Sequence, residues 1–168
     1  MEIQKRILGA TALAAEYCKT LENSGNMERV EMVDSMLRLL PSLYIAFNEI
    51  PAESAVELTD EPTYFDSYVD EEYYESIRRA LEGVFGEEDT FLETFEEDMK
   101  YSDTPIASSI SECLADIFQP LFNFVCLVRD SDGEKASEAY ADCHENFVSY
   151  WSQTLCNVLR ALNHLKYS

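Results

Sequence analysis

Apolar residues recur every three or four positions along most of the chain, which is the spacing of one face of an amphipathic α-helix. The first stripe covers residues 3–22 and ends at the polar segment 23–26. A second stripe covers residues 30–47 and keeps its phase through Pro41. Because a proline inside a helix removes one backbone hydrogen bond and bends the axis, this stripe predicts one kinked helix.

Four more helical segments follow residue 69. Asp70 is a suitable N-cap for a helix that ends at Gly86, and a short helix is predicted to begin at about residue 89. Residues 105–128 form the most apolar stripe, which a second proline interrupts, and predict a central helix buried on most sides. After a turn at residues 129–133, a last long helix completes the pattern.

These patterns predict one all-α domain over residues 1–168, a bundle of about six helices of which two have proline kinks. A chain of this length buries roughly 70% of its unfolded surface, so no disulfide or structural metal is needed. The five cysteines form no C-x-x-C pair and are odd in number, which favours reduced, buried thiols and a cytoplasmic protein. Since no apolar run approaches ~18 residues, we expect no membrane-spanning helix.

Residues 51–69 contain two prolines, scattered acids and no sustained period, and they predict a long irregular loop within the domain. Tyr64, Phe65 and Tyr68 are the candidates for an interaction surface on this loop, because exposed loops that carry aromatic rings often bind partners. The alternative is that these rings attach the loop to the core.

The strongly negative charge of the chain limits the classes of partner that it can bind. The formal net charge is −21, and residues 49–103 alone hold 19 acidic and 3 basic residues. A field of that sign repels phosphate backbones and anionic lipids, which argues against nucleic acids and membranes as partners. It favours cations or a basic protein partner.

Within the central helix, Glu112, Asp116, Gln119 and Asn123 form a narrow polar stripe. Pro120 removes the partner of the backbone carbonyl four residues earlier, which belongs to Asp116. Carboxylate and carbonyl oxygens are the ligands that Mg²⁺ or Mn²⁺ prefers, so this stripe is a candidate metal site.

Further ligands for such a site would come from Glu93 or Glu97 on the preceding segment. The chain lacks the paired E-x-x-H motifs of di-iron bundles, the complete carboxylate motifs of helical pyrophosphatases, and any phosphate-binding loop. The competing interpretation is that all four acids belong to solvated helix faces.

The stretches EEDMKYSDTPI (residues 96–106) and ISECLADIFQPL (residues 110–121) resemble a bacterial family known only as a domain of unknown function, family 5063. The similarity extends over nearly the whole chain. The resemblance implies a small, helical, cytoplasmic bacterial protein and carries no activity, cofactor or catalytic residue.

Three functions fit these observations. The first is a soluble acidic interaction or regulatory module without catalytic residues or cofactor, whose protein partner is basic. The second is a divalent-metal-dependent hydrolase of a phosphorylated small molecule or nucleotide, with Mg²⁺ or Mn²⁺ bound by Glu112, Asp116 and Glu93 or Glu97. The third is an acidic decoy that imitates a nucleic-acid backbone.

Overall fold

A computed structural model describes residues 2–51, 66–93 and 106–168. These parts of the chain form six α-helices and one two-stranded antiparallel sheet, which confirms the predicted all-α bundle. The elements in chain order are α1 (Glu2–Glu22), α2 (Arg29–Glu49), α3 (Glu71–Phe85), β1 (Thr90–Leu92), β2 (Ala107–Ser109), α4 (Ile110–Asp130), α5 (Ala136–Asn146) and α6 (Ser152–Tyr167). Short 3-10 turns cover Ser24–Asn26 and Gly86–Asp89, and a π-helical turn, Phe147–Trp151, joins α5 to α6.

Local signals set the ends of α2 and α3. A capping box between Glu28 and Glu31 begins α2, which continues through Pro41 as one helix. The Asp70 carboxylate accepts a hydrogen bond of 2.7 Å from the backbone N–H of Tyr73 at the start of α3. Gly86 ends α3 with a φ of 55°, a left-handed conformation that glycine adopts without a Cβ clash.

The most apolar helix, α4, lies at the centre of the bundle and packs against α1, α3, α5 and α6. Its length and mean hydropathy of 1.3 are sufficient to cross a membrane, and 56% of the apolar window is buried inside the protein. A packed core helix meets the same criteria, so this property is weak evidence for a membrane span.

Aromatic rings fill the core where α2 meets the last helices. Phe47 stacks on Tyr140 with ring centroids 5.1 Å apart and contacts the edge of Trp151 at 4.9 Å. The two buried tyrosines also form hydrogen bonds through their hydroxyl groups. The hydroxyl of Tyr17 donates to the carbonyl of Leu114 at 2.7 Å, and that of Tyr140 donates to the carbonyl of Ile50 at 2.6 Å.

Two predicted helix starts are wrong. Residues 90–92 form β1 rather than a helix, and they pair with β2 in the register Thr90↔Ser109, Phe91↔Ser108 and Leu92↔Ala107. The central helix begins at residue 110 rather than 105, because the Ser109 hydroxyl caps it by accepting from the Glu112 N–H at 3.0 Å. Both errors arise because strand pairing over a long separation leaves no local pattern.

Two side chains predicted to be buried are exposed. Val30, in the first turn of α2, is 72% exposed, whereas Val33, Leu40 and Phe47 of the same predicted stripe are buried. All five cysteines are free thiols, and four are buried as predicted, but Cys156 is exposed.

Candidate functional site

One cleft collects carboxylates that lie far apart in the sequence. We call it the acidic cleft, lined by Glu93, Ser108, Glu112, Asp116, Tyr150 and Gln153 among others, with a volume of ≈ 430 Å³. Its walls are the β-hairpin, α4, the π-helical turn and α6. No lysine or arginine of the described chain lines it. The described lining therefore combines three acidic side chains with polar groups and contains no lysine or arginine.

Glu93 is the most buried of these acids. It directly follows β1, and its backbone N–H donates to the carbonyl of Ile106 at 2.8 Å, which extends the hairpin by one residue pair. Its side chain is only 7% exposed, and the Oε2 atom has no hydrogen-bond partner in the described structure. A buried carboxylate oxygen without a donor is costly, and a donor that reaches it from the cleft would remove that cost.

Asp89 fixes the hairpin that carries Glu93. This carboxylate is buried, and it accepts from the backbone N–H of Ser111 at 2.8 Å and from the Ser111 hydroxyl at 2.7 Å. The first N–H groups of a helix have no partner within the helix, and the negative charge of Asp89 is favourable at this end of α4. Asp89 thus joins the strand to the helix on which Glu112 and Asp116 lie.

Two tyrosines hold the carboxylate of Asp116. The hydroxyl of Tyr74, on α3, donates to Oδ1 at 2.5 Å, and the hydroxyl of Tyr150 donates to Oδ2 at 3.0 Å. Burial and the Asp116 carboxylate raise the pKa of both phenols, that of Tyr150 to about 12. Both tyrosines therefore remain neutral donors at physiological pH, and Asp116 is fixed in orientation.

The π-helical turn shapes the opposite wall. Its buried residue Trp151 donates its indole N–H to the carbonyl of Cys143 at 3.2 Å, while Ser149 and Tyr150 of the same turn line the cleft. A π-helical turn inserts one extra residue into a helix and is frequent at functional sites. Tyr150 is 53% exposed, so a ligand in the cleft can reach its ring.

The acidic cleft is suited to accepting hydrogen bonds rather than to nucleophilic chemistry. Burial raises the pKa of the Cys113 thiol, which also lines the cleft, to about 12. That thiol is therefore protonated at neutral pH and is a poor nucleophile. Carboxylates, amides and hydroxyls are the groups that remain for ligand binding.

The structure brings together some of the residues predicted from the sequence and separates others. Glu93, Glu112 and Asp116 share the cleft, whereas Gln119 is exposed outside it. Asn123 accepts from the backbone N–H of Tyr68 at 2.7 Å, so this end of the polar stripe holds the segment before α3.

The predicted metal site lacks one of its residues. Glu97 lies outside the described residues, and within those residues no group of three or more histidine, cysteine or acidic side chains is arranged to hold a metal ion. Of the predicted interaction surface, Tyr64 and Phe65 lie in the undescribed segment 52–65, and Tyr68 is 38% exposed. The metal and loop hypotheses therefore stay predictions.

A second groove contains both acidic and basic side chains, which form an ion pair. A cavity of ≈ 530 Å³ lies between α2 and the end of α6 and includes Arg29, Asp34, His164 and Lys166. The Lys166 ammonium is 2.6 Å from the Asp34 carboxylate. The acidic cleft differs because no lysine or arginine among the described residues lines it.

The chain is similar to proteins that share this fold. A family model described as domain of unknown function DUF5063 matches residues 2–168. The crystal structure of protein BF1032 from Bacteroides fragilis is similar with a TM-score of 0.81 and 32% sequence identity, and the match covers 98% of this chain and 94% of that chain. No curated protein matches. These findings confirm the family resemblance of the sequence.

Proposed function

The chain belongs to the DUF5063 family, a domain of unknown function, and we propose that it is an interaction module that binds a basic protein through the acidic cleft. The observation that carries this proposal is the buried Oε2 of Glu93, which lacks a hydrogen-bond donor in a cleft shared with Glu112 and Asp116. A lysine or arginine side chain of a partner supplies both the donor and the positive charge.

Electrostatics support a charged partner at this position. The chain carries a formal net charge of −21, and the lining of the cleft adds acids without a described lysine or arginine. Such a field accelerates the encounter with a basic partner and disfavours acidic ones. Because Glu93 is buried, its contact with a cation is screened by salt less than a surface ion pair is.

The free thiols are consistent with a protein that works in a reducing compartment. All five cysteines are free thiols, which is typical of proteins in a reducing compartment such as the cytoplasm. We therefore place the interaction in the cytoplasm as part of the proposal.

The experiment uses a peptide of alternating lysine and arginine as the probe, and isothermal titration calorimetry of the full chain at about 20 mM and about 300 mM salt. We expect binding that weakens but persists at the higher salt. Glu93→Gln, which is nearly isosteric and removes the charge, is expected to weaken binding roughly tenfold or more. Glu134→Gln is the matched control, because Glu134 is exposed in the turn before α5 and lies outside the cleft.

Three results would overturn the proposal. Equal losses in Glu93→Gln and Glu134→Gln would mean that the peptide senses only the overall charge, as the decoy hypothesis predicts. Absence of binding at the lower salt would exclude a basic partner. Stabilisation by Mg²⁺ or Mn²⁺ that is lost in Glu93→Gln, in place of peptide binding, would favour the metal-dependent hydrolase.

A further inference from the structure

The arrangement of acceptors in the acidic cleft distinguishes between the two basic side chains. Glu93 approaches from the end of β1, Glu112 and Asp116 from α4, and Gln153 from α6. The acceptors thus lie on three separate elements around ≈ 430 Å³, and the described acids do not converge on a point as they would around a metal ion. A ligand that satisfies several of them must present donors in more than one direction.

From this geometry we infer that the cleft recognises the guanidinium group of an arginine side chain in preference to a lysine ammonium. This inference rests on the proposed function and deepens it. A guanidinium group has five N–H donors in a rigid planar fork, and it bridges two carboxylates at once. A lysine ammonium is a compact point charge with three donors, so it satisfies one carboxylate well and leaves the other carboxylates without a donor.

Asp116 and Tyr150 provide a second feature that suits arginine. Since Tyr74 and Tyr150 each donate to one oxygen of Asp116, that carboxylate is fixed before a ligand arrives. The same hydrogen bond positions the half-exposed Tyr150 ring at the cleft. A guanidinium plane stacks on an aromatic ring more effectively than an ammonium group does. Glu93 and Glu112 are then left to accept its N–H donors.

The test compares capped heptapeptides that differ only at one central residue, which is arginine, lysine, citrulline or asymmetrically dimethylated arginine. Affinity for the full chain is measured by isothermal titration calorimetry at fixed salt. We expect arginine to bind roughly tenfold more tightly than lysine, because it adds a second charged hydrogen bond. Dimethylated arginine keeps the charge and loses donors, so it should bind as weakly as lysine, and neutral citrulline should bind least. Free arginine serves as a further arm and should bind more weakly than the capped peptide, because the acidic cleft repels its α-carboxylate and it lacks the contacts of the flanking peptide.

Variants test the contribution of the ring. Tyr150→Leu is expected to reduce the preference for arginine over lysine several-fold, because the stacking surface is lost. Tyr167→Leu is the control, since Tyr167 is 73% exposed and lies outside the acidic cleft. The peptide series on the wild-type chain stays decisive even if Tyr150→Leu folds poorly.

The outcomes separate this inference from the proposed function. Equal binding of the arginine and lysine peptides, or full affinity of the dimethylated peptide, overturns the guanidinium inference and leaves the basic-partner proposal standing. Binding of free arginine as tight as that of the peptide overturns the assignment to a protein side chain. If none of the cationic peptides binds, both proposals fail together.

Discussion

Replacing Asp89 by alanine should destabilise the protein and remove Glu93 from the acidic cleft. The Asp89 carboxylate accepts two hydrogen bonds from Ser111, one from the backbone N–H at 2.8 Å and one from the hydroxyl at 2.7 Å. Both residues are buried, so in the variant the backbone N–H of Ser111 has no partner, and the Ser111 hydroxyl keeps only the longer contact of 3.3 Å with the Ser109 hydroxyl. Each hydrogen bond to a charged group contributes about 1.5–3 kcal/mol, which gives a loss of about 3–5 kcal/mol after partial relaxation.

Thermal and chemical unfolding measure this loss directly. For a domain of this size each kcal/mol lowers Tm by about 2–4 °C, so Asp89→Ala should lower it by roughly 6–20 °C. Asp89→Asn keeps one acceptor oxygen and should lose about 1–3 kcal/mol. Glu88→Gln is the matched control, because the neighbouring Glu88 is exposed and its change removes the same charge. If Asp89→Asn and Glu88→Gln unfold alike, Asp89 does not anchor the hairpin to α4.

Two further predictions concern the tyrosines. Because the folded state raises the pKa of Tyr74 and Tyr150 above their usual value near 10, the folded protein binds these protons more tightly than the unfolded chain does. The free energy of unfolding should therefore fall as pH rises above about 10 and continue to fall to about 12 for Tyr150. Urea unfolding should show a shallower fall in the Tyr74→Phe, Tyr150→Phe double variant, and an equal slope would contradict the assignment. Tyr17→Phe removes the buried hydrogen bond to the Leu114 carbonyl and should cost about 1 kcal/mol in the same assay, whereas no change would show that the bond contributes nothing.

The helices of this fold are predictable because their signals are local. The stripe over residues 3–22, the cap at Asp70 and the left-handed Gly86 all act within a few residues, and the structure has each of them. The β-hairpin is different, because its strands are separated by segment 93–106 and their pairing depends on contacts that the local pattern does not record. For this reason the sequence around residue 89 resembles the start of a helix, although strand β1 begins at residue 90.

The candidate site was predictable in part. Glu112 and Asp116 stand out as acids on an apolar helix, and the sequence also indicates Glu93 as a further ligand from the preceding segment. The sequence does not mark the tyrosines that hold Asp116 as site residues. Tyr74 lies on the inward stripe of its helix, and packing in the core explains that position as well as a hydrogen bond does. Tyr150 lies in a π-helical turn whose extra residue shifts the face that it presents, and no sequence periodicity marks such a turn.

The most direct test of the central claim is a two-dimensional amide NMR titration of the full chain with the arginine heptapeptide. The account predicts saturable chemical-shift changes concentrated at Glu93, Ser108, Glu112, Tyr150 and Gln153, the residues that line the acidic cleft, and their loss in Glu93→Gln. Changes spread over the acidic surface, or centred on the exposed Glu71 and Glu72 at the start of α3, would contradict it.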